Sequence, residues 1–364
     1  MQAEKIIHVL EEWAPPSLQE SYDNSGLIVG NPKTEVTGIL VNLDCIEEVV
    51  DEAISSGCNM IIAHHPIVFK GLKRFNGKNY VERTVIKAIK NDILIYAIHT
   101  NLDHVKDGVN KMIGEKLGLN NLKILAPKSG ILCKLVTYVP SDHAEPVRQA
   151  IFNAGAGHIG AYDQCSFNLN GKGTFRGNET SDPFVGEPGK VHIEDEIRVE
   201  TIMPAFVKSQ VLKALLSTHP YEEVAFDIYQ LENAWNEVGS GMIGDLNEPM
   251  RKTDFLKEVK RAMNAPALRF TESDNKTIQK VAFCGGSGGF LINTAKSKQA
   301  DVFITSDIKY HQFFEGEKDM ILVDIGHHES EQFTSDLICA KLKEKFPTFA
   351  VRLSDTPTNP IKYL

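Results

Sequence analysis

Apolar positions recur at helical spacing through residues 3–13 (Ile6, Ile7, Leu10, Trp13) and stop at Pro15-Pro16, where a helix cannot continue. The rhythm then changes to short unbroken apolar runs. GILVNLD (38–44) and MIIAHHP (60–66) predict buried strands, and CIEEVVDEAISSG (45–57) between them predicts a helix ending at Gly57. YVERTVIKAIKND (80–92) predicts a further helix and ILIYAIHT (93–100) a further strand. This alternation is that of βαβ units with parallel pairing. It returns near the other end of the chain. There VAFCGG (281–286), DVFITSD (301–307) and MILVDIG (320–326) predict strands, LINTAKSKQ (291–299) a helix, and HESEQFTSDLICAKLKEKF (328–346) one long amphipathic helix.

The middle follows a different order. CKLVTYVP (133–140) predicts a strand and AEPVRQAIFNAGAG (144–157) a helix; YDQCSFNLNGKGTFR (162–176) alternates around turn residues and predicts a hairpin. A strand at RVETIMP (198–204), a helix at FVKSQVLKALLSTHP (206–220) and a strand at VAFDIYQL (224–231) complete a β-α-β-β-α-β succession, the ferredoxin-like order. Turn and polar residues bracket it at 127–130 and 233–239. The expected fold is therefore α/β, with residues 128–232 forming an α+β domain inserted into a discontinuous α/β domain of residues 1–127 and 233–364.

Composition narrows the function classes. The formal net charge of -9, without a basic cluster, argues against a general nucleic-acid binder. No apolar run approaches the ~18 residues of a membrane span, and the start MQAEKIIHVLEEW lacks the pattern of a signal peptide. Six scattered cysteines without a CxxC read as reduced thiols of a cytoplasmic protein rather than as metal ligands.

Strands of a parallel sheet deliver side chains to the loops at their ends, where ligands bind. Three of these ends carry metal-type donors. MIIA leads to His64-His65, ILIYAI leads to His99 with Asp103 four residues on, and MILVDIG leads to His327 with Glu331 four residues on. A spacing of four at a helix start puts His327 and Glu331 on one face, while His328 points about 100° away. Adjacent histidines alternate sides on a straight strand, so His64 and His65 suit two different ions once the chain turns at Pro66. Imidazole and carboxylate without thiolate suit Zn, Fe or Mn, and an incomplete ligand set leaves positions for water or substrate. His99 reads as a ligand, a donor behind another ligand, or a packed strand cap, the second being favoured.

Other polar stretches leave two readings open. CGGSGGF (284–290) after a strand either cradles phosphate or only permits a tight turn into a helix. In SDIKYHQ (306–312), Asp307 and His311 form a proton-transfer pair facing the site, or Asp307 caps the helix containing His311. THPYEE (218–223) places His219, Glu222 and Glu223 together, as a site or as a solvated turn. Tyr22 and Asn24 of YDNSGL (22–27) contact substrate or serve turn chemistry.

Taken jointly, YDNSGLIVG, IIAHHPIVFKG, AIHTNLD, the CGGSGG turn, TSDIKYHQ and GHHESE resemble the Nif-three-like dinuclear metal-centre family, the GTP cyclohydrolase I type 2 homologues, over nearly the whole chain. The resemblance implies two divalent metal ions per subunit, held by His64, His65, Asp103, His327 and Glu331, with Glu331 bridging. It implies a toroidal homohexamer with sites facing an internal cavity, and it places Asp307 and His311 near the site. The inserted segment resembles the PII-like or CutA-like domain of longer bacterial members.

Two functions follow as expectations. One is a metal-dependent hydrolase that uses a hydroxide bridging the metals on a nucleotide-like or phosphoester substrate, with Asp307, His311 or His99 moving protons. The other is a non-enzymatic metal-binding or regulatory protein whose PII-like domain senses a small ligand. Nucleic-acid processing inside a ring is disfavoured by the net charge, and no guanine-reading motif stands out.

Overall fold

A computed structural model describes residues 1–274 and 276–364. The chain divides into two compact units, Met1–Ala126 with Glu237–Leu364, and Pro127–Asn236.

The N-terminal stretch runs α1 (Ala3–Trp13), β1 (Gly26–Val29), β2 (Ile39–Asn42), α2 (Glu47–Ser55), β3 (Met60–Ala63), α3 (Tyr80–Lys90), β4 (Leu94–Ala97), α4 (Thr100–His104), α5 (Val109–Lys116) and β5 (Asn120–Lys128). α1 and α3 each bury one apolar stripe, and the Asn79 side chain caps α3 by accepting from the Glu82 N–H. Every residue of β2, β3 and β4 is buried, the signature of strands covered on both faces.

The middle unit contains β6 (Leu132–Pro140), α6 (Ala144–Asn153), β7 (Ser166–Phe175), β8 (His192–Pro204), α7 (Lys208–Thr218) and β9 (Phe226–Leu231). Its antiparallel sheet has the order β7-β8-β6-β9, the ferredoxin-like arrangement. Leu135, Val139 and Val199 of the sheet pack on Val147 and Ile151 of α6 and on Val211 and Leu215 of α7. The hairpin expected at 162–176 is not formed. That segment is the single strand β7, paired with β8 from Ser166↔Thr201 to Phe175↔His192. Gly171 and Gly173 suggested a turn, but Gly173 lies in the strand where any Cβ would collide with the Glu196 carboxylate. Glycine there permits close approach rather than reversal.

The chain continues through β10 (Trp235–Arg251), α8 (Lys252–Ala262), β11 (Arg269–Phe270), β12 (Thr277–Ser287), α9 (Ile292–Ser297), β13 (Val302–Ser306), β14 (Ile321–Asp324), α10 (His327–Glu331), α11 (Thr334–Lys345) and β15 (Val351–Leu353). Residues 235–239, read from sequence as turn-forming, are the start of β10, where Val238 and Gly239 are buried. The single helix expected over 328–346 is two, α10 and α11. The Gln332 side chain ends the first by donating to Glu329 O and Met263 O.

The larger unit is built on two sheets. One has the order β1-β4-β3-β2-β15, with β15, β2, β3 and β4 parallel and β1 antiparallel at the edge. The other has the order β11-β14-β13-β12-β10-β5, with β12, β13 and β14 parallel at its centre. The C-terminal ends of β2, β3, β4, β12 and β14 supply the polar cluster described next. No helix among the described residues is long and apolar enough to cross a membrane.

Candidate metal centre

His64 and His65 follow β3 directly, His99 ends the β4 segment, Asp103 lies on α4, and His327 and Glu331 lie four apart on α10. The structure brings all six together. Three donor groups have their ligand atoms within 4.8 Å of one another: His64 with Asp103 and Glu331; His65 with His327 and Glu331; and His64 with His65 and His99. Glu331 is buried, and its two oxygens face different histidines. Oε1 lies 3.9 Å from His64 Nε2, while Oε2 lies 3.0 Å from His65 Nε2 and 3.1 Å from His327 Nε2.

Each imidazole is held from behind through Nδ1. Carbonyl and carboxylate oxygens only accept, so Nδ1–H is the donor in every case. His64 donates to Ile98 O at 2.8 Å, His65 to Asp44 Oδ1 at 2.8 Å, His327 to Asp307 Oδ2 at 2.7 Å and His99 to Asp23 Oδ1 at 2.7 Å. Such bonds fix the ring and leave Nε2 for the cluster, the arrangement that orients metal-ligating histidines.

Burial, joined by the charge of Glu331, pushes Asp103 up to about 7. Burial opposes protonation of His65, but its bonds to Asp44 and Glu331 prevail and raise it to about 9. Burial likewise opposes protonation of His327, and its bonds to Asp307 and Glu331 raise it to about 11. Burial alone would raise Glu331; hydrogen bonds from His327 and His65 instead hold it well below the usual carboxylate range. His64 Nε2 and Asp103 Oδ1 are buried without a hydrogen-bond partner among the described residues and stand 3.7 Å apart, too far to bond each other. Two orphaned donors aimed at one point fit a cation between them. Burial, with the charges of Asp103 and Glu331, drives the neighbouring Cys284 thiol upward, so it stays protonated and the donor set remains imidazole and carboxylate.

The glycine turn after β12 shapes the cluster. Gly286 has φ +62°, and a Cβ there would strike Glu331 Oε1. The N–H groups of Gly285, Gly286 and Gly288 donate to Asn110 Oδ1, Ser330 Oγ and Thr305 Oγ1. With these three donors engaged inside the fold, this part of the turn serves close packing against Glu331.

Asp307 and His311 are not brought together as a pair. Asp307 (φ +56°) binds His327, while His311 is exposed with its ring against Tyr310 and Phe314. The alternative cap is also absent, since the N-cap position of the short helix at 310–316 is Lys309, whose N–H donates to Gln312 Oε1 at 3.0 Å. Asn24 serves the loop by donating to Val68 O at 2.6 Å, and exposed Tyr22 lines a cavity of about 1050 Å³ that also contains His65, His99, Asp103, His327 and Glu331. Two positioning residues were not singled out from sequence. Asp44 sits at the end of the β2 segment, where the strand-end rule applied to the other strands would have found it. Asp23 sits inside YDNSGL and also accepts from the N–H of Thr100 at 3.0 Å.

Fold and site together define a discontinuous α/β protein with a histidine–carboxylate cluster able to hold metal, interrupted by a ferredoxin-like unit. The profile of the Duf34/NIF3 (NGG1p interacting factor 3) family matches residues 1–360, and the chain belongs to that family. Relatives described as GTP cyclohydrolase 1 type 2 homolog include one from Halalkalibacterium halodurans, 39% identical over 99% of this chain and 98% of the relative. Another, from Bacillus subtilis, is 37% identical over 99% and 98%. Among solved structures, a Bacillus cereus protein related to NIF3 superimposes with a TM-score of 0.86 at 38% identity, covering 100% of this chain and 99% of that one.

Proposed function

We infer that the cluster is a two-ion centre serving metal-dependent hydrolysis of a small molecule admitted to the adjoining cavity. His64, Asp103 and Glu331 would hold one divalent ion, and His65, His327 and Glu331 the other. The observation that carries this reading is that both groups converge on one buried carboxylate, which turns one oxygen to each. Imidazole and carboxylate donors suit Zn, Fe or Mn. Bound, such ions supply Lewis acidity and make water a nucleophile near neutral pH.

The chain's own groups do the rest. Asp44, Asp307 and Ile98 O fix the imidazoles of His65, His327 and His64. His99, backed by Asp23 with Nε2 left for the cluster, is placed to take or give a proton. Asp307 acts through His327 as a positioning residue. Tyr22, Phe69, Tyr80 and Phe290 line the cavity and suit a planar ring of a nucleotide-like substrate.

The test is metal analysis of the purified protein, followed by assays of formate release from GTP and of turnover on a phosphoester panel. Stoichiometric metal with turnover that His65→Ala abolishes supports the reading. Metal-loaded protein inert on all of these substrates, or activity surviving His65→Ala, overturns it. A toroidal homohexamer is the assembly expected with this function, read by light scattering as a six-chain mass. The separate core of residues 127–236 favours a second reading, a metal-holding regulatory protein in which that unit senses a ligand. Tight metal retention with no turnover would select it.

A further inference from the structure

A second cavity, of about 610 Å³, lies wholly within the middle unit. Ile197 and Val199 of β8 face the core beneath α6 and α7, so the alternating Glu196 and Arg198, which line the cavity, belong to the opposite face of the sheet. Glu196 is the buried polar group of this face, only 8% exposed. Its Oε1 accepts from the Tyr221 hydroxyl at 2.8 Å. Its other oxygen packs over Gly173, the one residue type that leaves room for it.

Aromatic rings stand around this carboxylate at angles to one another. Phe175 and Phe184 lie 5.9 Å and 6.3 Å from the Tyr221 ring, centroid to centroid, tilted by 60° and 48°. Tilted rings do not form a slot for a flat base; they form walls that present π faces from several directions. Two of the three cations of the lining have acidic partners. Lys172 pairs with Asp195 at 2.9 Å and Arg198 with Glu200 at 2.8 Å, while Arg176 is exposed. Among the described residues, Glu222 accepts the Asp182 N–H at 3.0 Å and Glu196 accepts from the phenol. Glu222 and Tyr221 come from the THPYEE stretch that the metal centre leaves unused.

A buried carboxylate inside aromatic walls is the chemistry that recognises an organic cation. The carboxylate supplies charge, and the ring faces supply cation–π attraction and apolar surface. The geometry points to this cavity as a binding site for an organic ammonium ion with an apolar body, held by Glu196 and enclosed by Phe175, Phe184 and Tyr221. A volume of this size lies within the range of small-molecule pockets and exceeds that needed by a bare ammonium ion, which is why the body must be apolar and sizeable. The site is independent of the metal centre and of whether that centre is catalytic.

Titration calorimetry of the full-length protein with benzyltrimethylammonium tests it, with benzoate as the anionic counterpart of similar size. The expected result is saturable binding of the cation and none of benzoate. Glu196→Gln keeps the shape and the Tyr221 bond while removing the charge, and should weaken binding about tenfold or more. Phe184→Ala, in an exposed loop where loss of folding is not expected, should weaken it about fivefold. The proposal is overturned if the cation does not saturate, or if both variants bind like wild type. Tighter binding of benzoate also overturns it, since Arg198 Nε, which lacks a partner among the described residues, would then be the recognising group.

Discussion

Protons and metal ions must compete for the cluster, and His65 gives the size of the competition. Without a metal its pKa stands at about 9, because Asp44 and Glu331 reward the imidazolium more than burial penalises it. At pH 7 the gap is two units (9 − 7), so only about one molecule in a hundred offers an unprotonated Nε2. An ion that needs this nitrogen therefore binds about 100-fold more weakly at pH 7 than above pH 9, a penalty of about 3 kcal/mol. His327 is raised as well, through Asp307 and Glu331, which makes the slope steeper. The sign for folding is opposite. Because the folded pKa of His65 exceeds the unfolded value of about 6.5, the stabilisation it gives the metal-free protein is complete below pH 6.5 and fades as pH rises through about 9. Competition of Mn2+ or Zn2+ against a chromophoric chelator between pH 6 and 8 should show apparent affinity rising about tenfold or more per pH unit. Calorimetry in buffers of different ionisation enthalpy should show at least one proton released. A flat pH profile with buffer-independent heats would refute the assignment of His65 as a ligand held between Asp44 and Glu331.

Asp44→Asn removes the charge behind His65 and should lower metal affinity about 10- to 100-fold while leaving the fold intact, read by metal titration beside circular dichroism. Gly286→Ala forces a side chain into φ +62° and against Glu331 Oε1; it should destabilise by at least about 1 kcal/mol in urea denaturation and also weaken metal binding, whereas an unchanged midpoint would mean the turn can shift away from Glu331. Chelation of a metal-loaded sample should lower the melting temperature, because ions that bind only the folded chain stabilise it by mass action; identical melting curves would mean the cluster holds no metal in the folded state. Ile62→Ala, in a strand whose every residue is buried, should cost about 2–5 kcal/mol of stability by denaturant titration.

The parallel strands were legible because their apolar runs have no polar interruption, and the donors because each follows such a run. His64, His65, Asp103, His327 and Glu331 could be named before any of their distances were known. What failed to read from sequence has a common physical origin in partners distant along the chain. Asp23 looks like an ordinary turn residue until His99, 76 positions away, is seen donating to it, and Asp44, although at a strand end, shows its role only when His65, 21 positions away, donates to it. Asp307 and His311 are four apart and suggested a local pair; a left-handed backbone at Asp307 instead turns its carboxylate to His327, 20 residues on. The break between α10 and α11 depends on a Gln332 amide that reaches Met263 O across 69 residues. Periodicity reports burial, and it cannot report which distant atom a buried polar group will meet.

Glycine shows the same limit most sharply. CGGSGGF left a phosphate loop open beside a tight turn into a helix, and NGKGTF suggested a hairpin turn, each reading resting on backbone freedom. In the fold, Gly286 and Gly173 do one job in two places, leaving the space that a buried carboxylate occupies, Glu331 in one case and Glu196 in the other. A buried carboxylate is costly unless cations or donors meet it. A chain that keeps a glycine against such a group therefore retains the acid at that position, and space for it, at a cost to stability. At Glu331 the histidines show what the acid is for. At Glu196 the hydrogen-bond partner is a phenol set among aromatic walls, the surroundings from which the cation site is proposed.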